Sequence, residues 1–125
     1  MLGYATIGVT DMERAEAFYS ELLAELGAKK MLDAGRIKFF GTSPTAAMVA
    51  ICIPYNESTQ HCGNGNMLAL PADGPDAIKR LYDKALELGA TDEGEPGDRI
   101  EDVFYGAYVR DPDGNKLCFY QMNMG

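Results

Sequence analysis

Few side chains in this sequence are equipped for chemistry, and their spacing narrows the choice. Asp111 and Asp113 stand close together in the stretch Tyr108-Val-Arg-Asp-Pro-Asp-Gly-Asn-Lys-Leu-Cys-Phe-Tyr-Gln121. Paired carboxylates are the usual equipment of general acid–base catalysis. The same stretch is also built as strand, tight turn, strand. Tyr108 and Val109 favour extended backbone, Pro112 presets a turn φ, and Gly114 and Asn115 accept positive φ before Leu117, Phe119 and Tyr120 resume a strand. Both acids are therefore read as solvated turn formers.

The nucleophiles are no better placed. Cys52, Cys62 and Cys118 are an odd number without CxxC spacing, which fits reduced thiols rather than a disulfide framework or a zinc knuckle. His61, the single histidine, falls in a polar loop, where exposure is expected. Cys62-Gly-Asn-Gly-Asn66 is glycine-rich but opens no helix, so it lacks the dipole end that cradles phosphate. Arg99 closes Glu95-Pro-Gly-Asp-Arg99, a segment expected to precede a strand and cover a pocket mouth, and is a candidate partner for an anionic ligand. Arg36 and Lys38 alternate with Ile37 and Phe39. If their face lined a concavity, it would favour acidic substrates; facing solvent, it would do nothing.

Composition bounds the classes. A chain of 125 residues is one domain, 1–125, able to bury roughly two thirds of its unfolded surface without staples. A formal charge of -8 and the absence of any Lys/Arg run argue against nucleic acid or an anionic membrane as partner. The longest apolar run, Ala46 to Ile53, suits a buried strand and is far too short to span a bilayer. Asp11 and Glu13 arrive too early for a secretory signal, so a cytoplasmic protein is expected.

The elements that position these residues come in two rounds. Gly3 to Val9 reads as a strand. Thr10-Asp11 caps a helix from Met12 whose Ala15, Phe18, Tyr19, Leu22, Leu23 and Leu26 form an apolar stripe ended by Gly27. Lys29 to Asp33 and Arg36 to Gly41 form a hairpin across Ala34-Gly35, and Ala47 to Pro54 is a buried strand. After a loop at 57–65 the order repeats. Asn66 to Leu70 is a strand, and a helix entered through Pro75 buries Ile78, Leu81, Tyr82, Ala85 and Leu88. Strands follow at Thr91 to Gly97, Phe104 to Arg110 and Lys116 to Gln121. Leu26-Gly27-Ala28 matches Leu88-Gly89-Ala90, and Asp11 matches Asp73 at the same offset. The expectation is an α+β fold of two βαβββ modules, 1–56 and 66–125. Together they make a curved eight-stranded mixed sheet around a cleft, with helices outside. Along the last strand Leu117, Phe119 and Gln121 share one face, and Cys118 and Tyr120 the other.

Thr6-Ile-Gly-Val-Thr-Asp-Met-Glu-Arg-Ala15 with Ala17-Phe-Tyr19, and Tyr108-Val-Arg-Asp-Pro-Asp-Gly-Asn115, resemble the glyoxalase/bleomycin-resistance/extradiol-dioxygenase family, the vicinal-oxygen-chelate superfamily. The resemblance covers essentially the whole chain and is specific for fold, far less so for activity. It implies metal ligands, His or Gln and Glu, on the first and fourth strand of each module. Those positions are expected to fall on Tyr4, Cys52, Asn66 and Cys118, none of which matches. Phenol, amide and thiols make a poor cage for Mg²⁺, Mn²⁺, Ni²⁺ or Fe²⁺, and zinc would need His61 beside two cysteines.

No metal or other cofactor is therefore expected. The reading is a metal-free small-molecule-binding protein with Tyr4, Cys52, Asn66, Tyr108 and Cys118 lining the pocket. The alternative is a metal-dependent enzyme, of lactoylglutathione-lyase (glyoxalase I) or dioxygenase type, with His61, Cys52 or Cys118 as the only candidate bases or nucleophiles. A third reading is an interaction module without a ligand. The resemblance, together with open sheet edges, implies a homodimer.

Overall fold

The structure, a computed structural model, describes residues 1–123. They fall into two compact units, 1–62 and 63–123. The eight expected strands and two helices are present in the expected order, and hydrogen bonding divides the strands into two four-stranded mixed sheets.

The first unit runs β1 (Tyr4–Gly8), α1 (Met12–Ala24), β2 (Lys29–Asp33), β3 (Ile37–Gly41) and β4 (Met48–Cys52). The sheet order is β1-β4-β3-β2, with β1 parallel to β4 and the other pairs antiparallel. Asp11 caps α1 as expected, its Oδ1 accepting the Arg14 N–H at 3.1 Å. The apolar stripe then buries Ala15, Phe18, Tyr19, Leu22 and Leu23. Lys38 shows which side of the sheet α1 covers, because its Nζ lies 2.6 Å from Glu16 Oε1 on the helix. Period-2 alternation sends Phe40 the same way and turns Ile37 and Phe39 to the other face. The polar face of β3 therefore meets α1 and does not line a concavity. Lys38 is neutralised by Glu16 and by Asp33 at 3.3 Å.

The second unit runs β5 (Leu68–Pro71), α2 (Pro75–Glu87), β6 (Thr91–Ile100), β7 (Phe104–Arg110) and β8 (Lys116–Met122), in the order β5-β8-β7-β6. Pro75 takes the first position of α2, which buries Ile78, Leu81, Tyr82 and Ala85. The Tyr82 hydroxyl donates to Asp92 Oδ1 at 2.9 Å, and Asp92 pairs in register with Val109. That places Ala107, Val109, Leu117 and Phe119, all buried, on the side under α2. Gln121 shares that face and donates to the Asp73 carbonyl, whereas Cys118 and Tyr120 look the other way, as the alternation predicts.

Strand β6 outruns its expected end at Gly97 and continues to Ile100 through three register shifts. It lies at the sheet edge, where bulges accommodate the glycines and Pro96 gives up no ladder bond. Arg99 thus belongs to a strand and not to a loop.

The β7–β8 turn bears out Asp111 as a turn former but corrects its expected solvation, since it is only 3% exposed and spends its carboxylate on the turn's own backbone. Its Oδ1 accepts the N–H groups of Asp113 at 2.9 Å and Asn115 at 2.8 Å, and its Oδ2 takes the Asn115 amide at 3.1 Å. Gly114 supplies the positive φ of 89 that the turn requires.

The two units repeat one order of elements, with a slip of one residue. Both helices close alike, Ala28 N–H to the Leu23 carbonyl and Ala90 N–H to the Ala85 carbonyl. They open one residue out of step, from Asp11 and from Gly74, so α1 carries one more residue before its closing glycine. Ahead of the helices, Val9 N–H donates to Cys52 O, and Ala72 N–H to Tyr120 O. By this register the counterpart of Tyr4 is Met67, of Cys52 Tyr120, and of Cys118 Ala50. Pairing Tyr4 with Asn66, and Cys52 with Cys118, is therefore corrected. A single-residue offset in a strand exchanges its faces. No helix among the described residues is long and apolar enough to cross a membrane.

Candidate functional site

The chemically richest surface of the second unit is the face of its sheet turned away from α2. Tyr108 and Cys118 are register partners on β7 and β8, close enough for each side chain to influence the ionisation of the other. Cys118 is fully buried. Burial pushes its thiol above the usual range, against the opposing pull of the Tyr108 hydroxyl and the positive charges of Arg99 and Lys116. Burial likewise raises the Tyr108 phenol, reinforced by Cys118 and opposed by Arg99. The pair is therefore neutral near pH 7, two polar groups and not an ionised nucleophile.

Glycines clear the space around it. Phe104 and Tyr120 stack in parallel, with ring centroids 5.4 Å apart. Gly106 lies opposite Tyr120 in register, and a Cβ there would stand 2.9 Å from Phe104 Cε1 and 3.6 Å from Cys118 Sγ. On β6, a Cβ at Gly94 would approach Tyr108 Cδ2 to 3.0 Å and Arg99 Nη2 to 3.1 Å, and one at Gly97 would lie 3.0 Å from Arg99 Nη1. The Arg99 guanidinium occupies the room so left, 5.3 Å from the Tyr108 ring centroid, and donates to the Glu95 carbonyl. Lys116 Nζ stands 5.3 Å from the same centroid. Aromatic rings, a buried thiol and two cations thus share one face, arranged to hold a flat molecule by stacking and by charge.

In the first unit, Tyr4 and Cys52 occupy the corresponding face but opposite ends of the β1–β4 pair, in register with Met48 and Gly8. Tyr4 packs edge-on to Phe39 at 4.8 Å, and Cys52 lies opposite Ile37. Asn66 is outside β5, in the exposed turn that begins at Gly63, with its amide folded against that glycine. His61 and Cys62 are exposed in the connecting segment. Of the five residues expected to line a pocket, the structure brings Tyr108 and Cys118 into contact.

The resemblance implies a metal, and the donors can be tested against one. The strands that would carry ligands are β1, β4, β5 and β8, and they contain no histidine, aspartate or glutamate. Correcting the register to Tyr4, Cys52, Met67 and Tyr120 does not help, since phenols and a thioether are no cage for a hard divalent ion. Among the described residues no group of three or more His, Cys, Asp or Glu is placed to hold an ion. The residues present do not fit the metal.

A second depression, of about 390 Å³, lies on the α2 side of the same unit, bordered by Tyr82, Tyr105, Asp83, Glu95 and Lys79. Its polar groups serve one another: Lys79 pairs with Asp83 at 2.6 Å, and Tyr82 with Asp92. Burial, with the Asp92 hydrogen bond, drives the Tyr82 phenol up to about 12. Such a group does no proton transfer near neutrality.

Lys116, Phe104, Tyr120 and the three glycines were not singled out by sequence reasoning. Alternation along β7 and β8 was the available signal, since it puts Phe104, Gly106 and Tyr108 on the face of Cys118 and Tyr120. Glycine inside a strand is also a recognised mark of close approach.

Comparison with known proteins adds the following. The family described as Glyoxalase/Bleomycin resistance protein/Dioxygenase superfamily matches residues 1–119. No curated protein matches the chain. Among solved structures, a glyoxalase/bleomycin resistance protein from Albidiferax ferrireducens is 33% identical at a TM-score of 0.88, covering 98% of this chain and 99% of its own. A glyoxalase/bleomycin resistance protein/dioxygenase family enzyme from Burkholderia phytofirmans is 17% identical at 0.76, with coverage of 97% and 98%. A lactoylglutathione lyase from Agrobacterium tumefaciens is 22% identical at 0.68, with coverage of 96% and 92%. The last two speak for the fold alone.

Proposed function

Because this chain belongs to the Glyoxalase/Bleomycin resistance protein/Dioxygenase superfamily, we propose that it binds a small organic molecule without a metal ion. The binding surface is the face of the second sheet that carries Tyr108 and Cys118. The observation that carries the proposal is the donor set. Strands that would supply ligands hold neither imidazole nor carboxylate, while Tyr108 and Cys118 sit side by side as neutral polar groups among aromatic rings. That combination, an apolar body with a few polar tips, is how small-molecule sites are furnished. Tyr4 and Cys52 are proposed as further contacts on the first unit's own face. Asn66, folded against Gly63, contributes only as a turn residue.

A lyase reading has to place a base. Cys118 is a weak choice because burial holds its thiol protonated. Two measurements test the proposal together: elemental analysis of the protein as purified, and a ligand screen read by NMR shifts of Tyr108 and its neighbours. Sub-stoichiometric metal with a binder that shifts Tyr108 is the expected result. A stoichiometric ion held by protein side chains, or hemithioacetal isomerisation well above background, would overturn it. We further propose a homodimer, since β1, β2, β5 and β6 are the edge strands of their sheets; sedimentation equilibrium checks this directly.

A further inference from the structure

We infer, resting on the binding face just proposed, that Arg99 and Lys116 form a receptor for the anionic group, carboxylate or phosphate, of an aromatic small molecule whose ring packs against Tyr108.

Arg99 is installed on this face by the backbone of its own strand. Gly94 and Gly97 leave the space its guanidinium fills, with Nη2 and Nη1 at 3.1 and 3.0 Å from where their Cβ atoms would be. The Glu95 carbonyl accepts from Nη2, and the Tyr108 ring supports the guanidinium plane. An arginine held in this way loses less side-chain entropy on meeting an anion than a free one would.

Several of the other cations have carboxylate partners. Lys30 and Lys38 are neutralised by Glu16 and Asp33, Lys79 by Asp83, and Arg110 by Glu93. Neither Arg99 nor Lys116 makes an ion pair with a carboxylate among the described residues, although acids outnumber bases in the chain by eight. Strands β7 and β8 carry no acidic residue at all. Arg110, the register partner of Lys116, is occupied by Glu93 and the Gly114 carbonyl, so it does not compete for the ligand. Two cations that converge on one aromatic ring with no carboxylate partner among the described residues, in a strongly acidic protein, mark a place kept for an anion.

The test is a fluorescence titration of the full chain with naphthoate, naphthyl phosphate and the neutral naphthamide. Both anions are expected to bind about tenfold or more tighter than the amide, the size of a charge-assisted hydrogen bond, and the preference is expected to shrink as salt is raised. Arg99→Met and Lys116→Met should each weaken the anions several-fold more than they weaken naphthamide, so that the anion preference over the amide collapses. Gly97→Ala, which displaces the guanidinium while keeping its charge, should do the same as Arg99→Met, with unaltered circular dichroism showing that the fold is intact. The ratio of naphthoate to naphthyl phosphate affinity tells which anion the receptor prefers. If naphthamide binds wild type as tightly as naphthoate, the anion receptor is refuted while the binding face stands. If none of the three probes binds in the millimolar range, both readings fall.

Discussion

The two units share one chain plan and spend their charged side chains on opposite faces. In the first, Lys38 points toward α1 and joins Lys30, Glu16 and Asp33 in a network on the helix side. Its other face is apolar around Tyr4, Phe39 and Met48. In the second, the helix side is closed by apolar packing and the Tyr82–Asp92 hydrogen bond. There the cations Arg99 and Lys116 lie on the far face, beside Tyr108 and Cys118. The apolar stripes fix the common plan, because strand and helix periods alone decide what is buried. Individual residues on the free face are not constrained by that plan, so the copies diverge there.

If the plan is shared, equivalent core deletions should hurt alike. The register makes Phe18 of α1 and Leu81 of α2 counterparts, 3% and 2% exposed. Phe18→Ala is expected to destabilise by about 3–5 kcal/mol and Leu81→Ala by about 2–5 kcal/mol, in denaturant titrations read at both units. A substitution that unfolds one unit and leaves the other's transition unmoved would break the picture of equal cores.

The β3–β4 and β7–β8 turns should respond less, and unequally. Asp111→Ala removes the carboxylate that accepts from the Asp113 and Asn115 N–H groups in a largely buried turn, and about 2–3 kcal/mol of stability should go. The corresponding turn of the first unit is braced by Ser43, whose hydroxyl accepts from Thr45 and Ala46 near the surface. Ser43→Ala should therefore lower stability by only about 0.5–1 kcal/mol in the same titration. Equal losses would mean that the carboxylate of Asp111 has a role beyond its turn.

A third substitution probes the free faces directly. Gly106 corresponds in register to Ile37, a position where the first unit accepts a branched side chain. A methyl group at Gly106 would stand 2.9 Å from the Phe104 ring and 3.3 Å from the Phe119 carbonyl, so Gly106→Ala should cost about 1–3 kcal/mol. Ile37→Ala, by contrast, only trims a half-buried side chain. An unchanged melting temperature for Gly106→Ala would show that Phe104 moves aside freely and that the stacked pair is not preorganised.

Much of this was legible beforehand. The Asp11 cap, the helical stripes, the alternation along β8 and the turn chemistry of Asp111 to Asn115 all follow from local rules, because those residues satisfy neighbours close in sequence. The mismatch of donors to a metal was equally legible, since it depends on residue type. What escaped depended on counting residues across a helix or on a side chain's aim. The extra residue in α1 shifted the expected twin of Tyr4 from Met67 to Asn66. Lys38 gave an alternating pattern that fits a ligand face as well as a helix face, and only its contact with Glu16 decides. Arg99 was singled out, but the expected strand stopped at Gly97, so nothing put Arg99 on the same strand as the glycines that seat it until β6 was seen to continue to Ile100.

The smallest predicted effect separates the units by pH. The Asp33 carboxylate is drawn down to about 2 from its ordinary 3.8, chiefly by the Gly35 N–H and then by Lys30. Folded Asp33 thus holds its proton less tightly than unfolded Asp33. Its contribution is fully present above pH 4 or so and is lost as pH falls toward about 2. Glu16, lowered by Lys30 and Lys38, acts in the same direction. Tyr82 in the second unit has the opposite sign. Raised to about 12 by burial first and by Asp92 next, it contributes below the ordinary phenol value of 10.0 and loses that contribution as pH rises through about 12. Asp33→Asn should flatten the acid limb of the melting-temperature profile and spare the alkaline one, and Tyr82→Phe should do the reverse. Because Asp33 is open to solvent, the acid effect should be slight and should fade with added salt. Asp33→Asn moving both limbs together would mean that the network on α1 is not confined to its own unit.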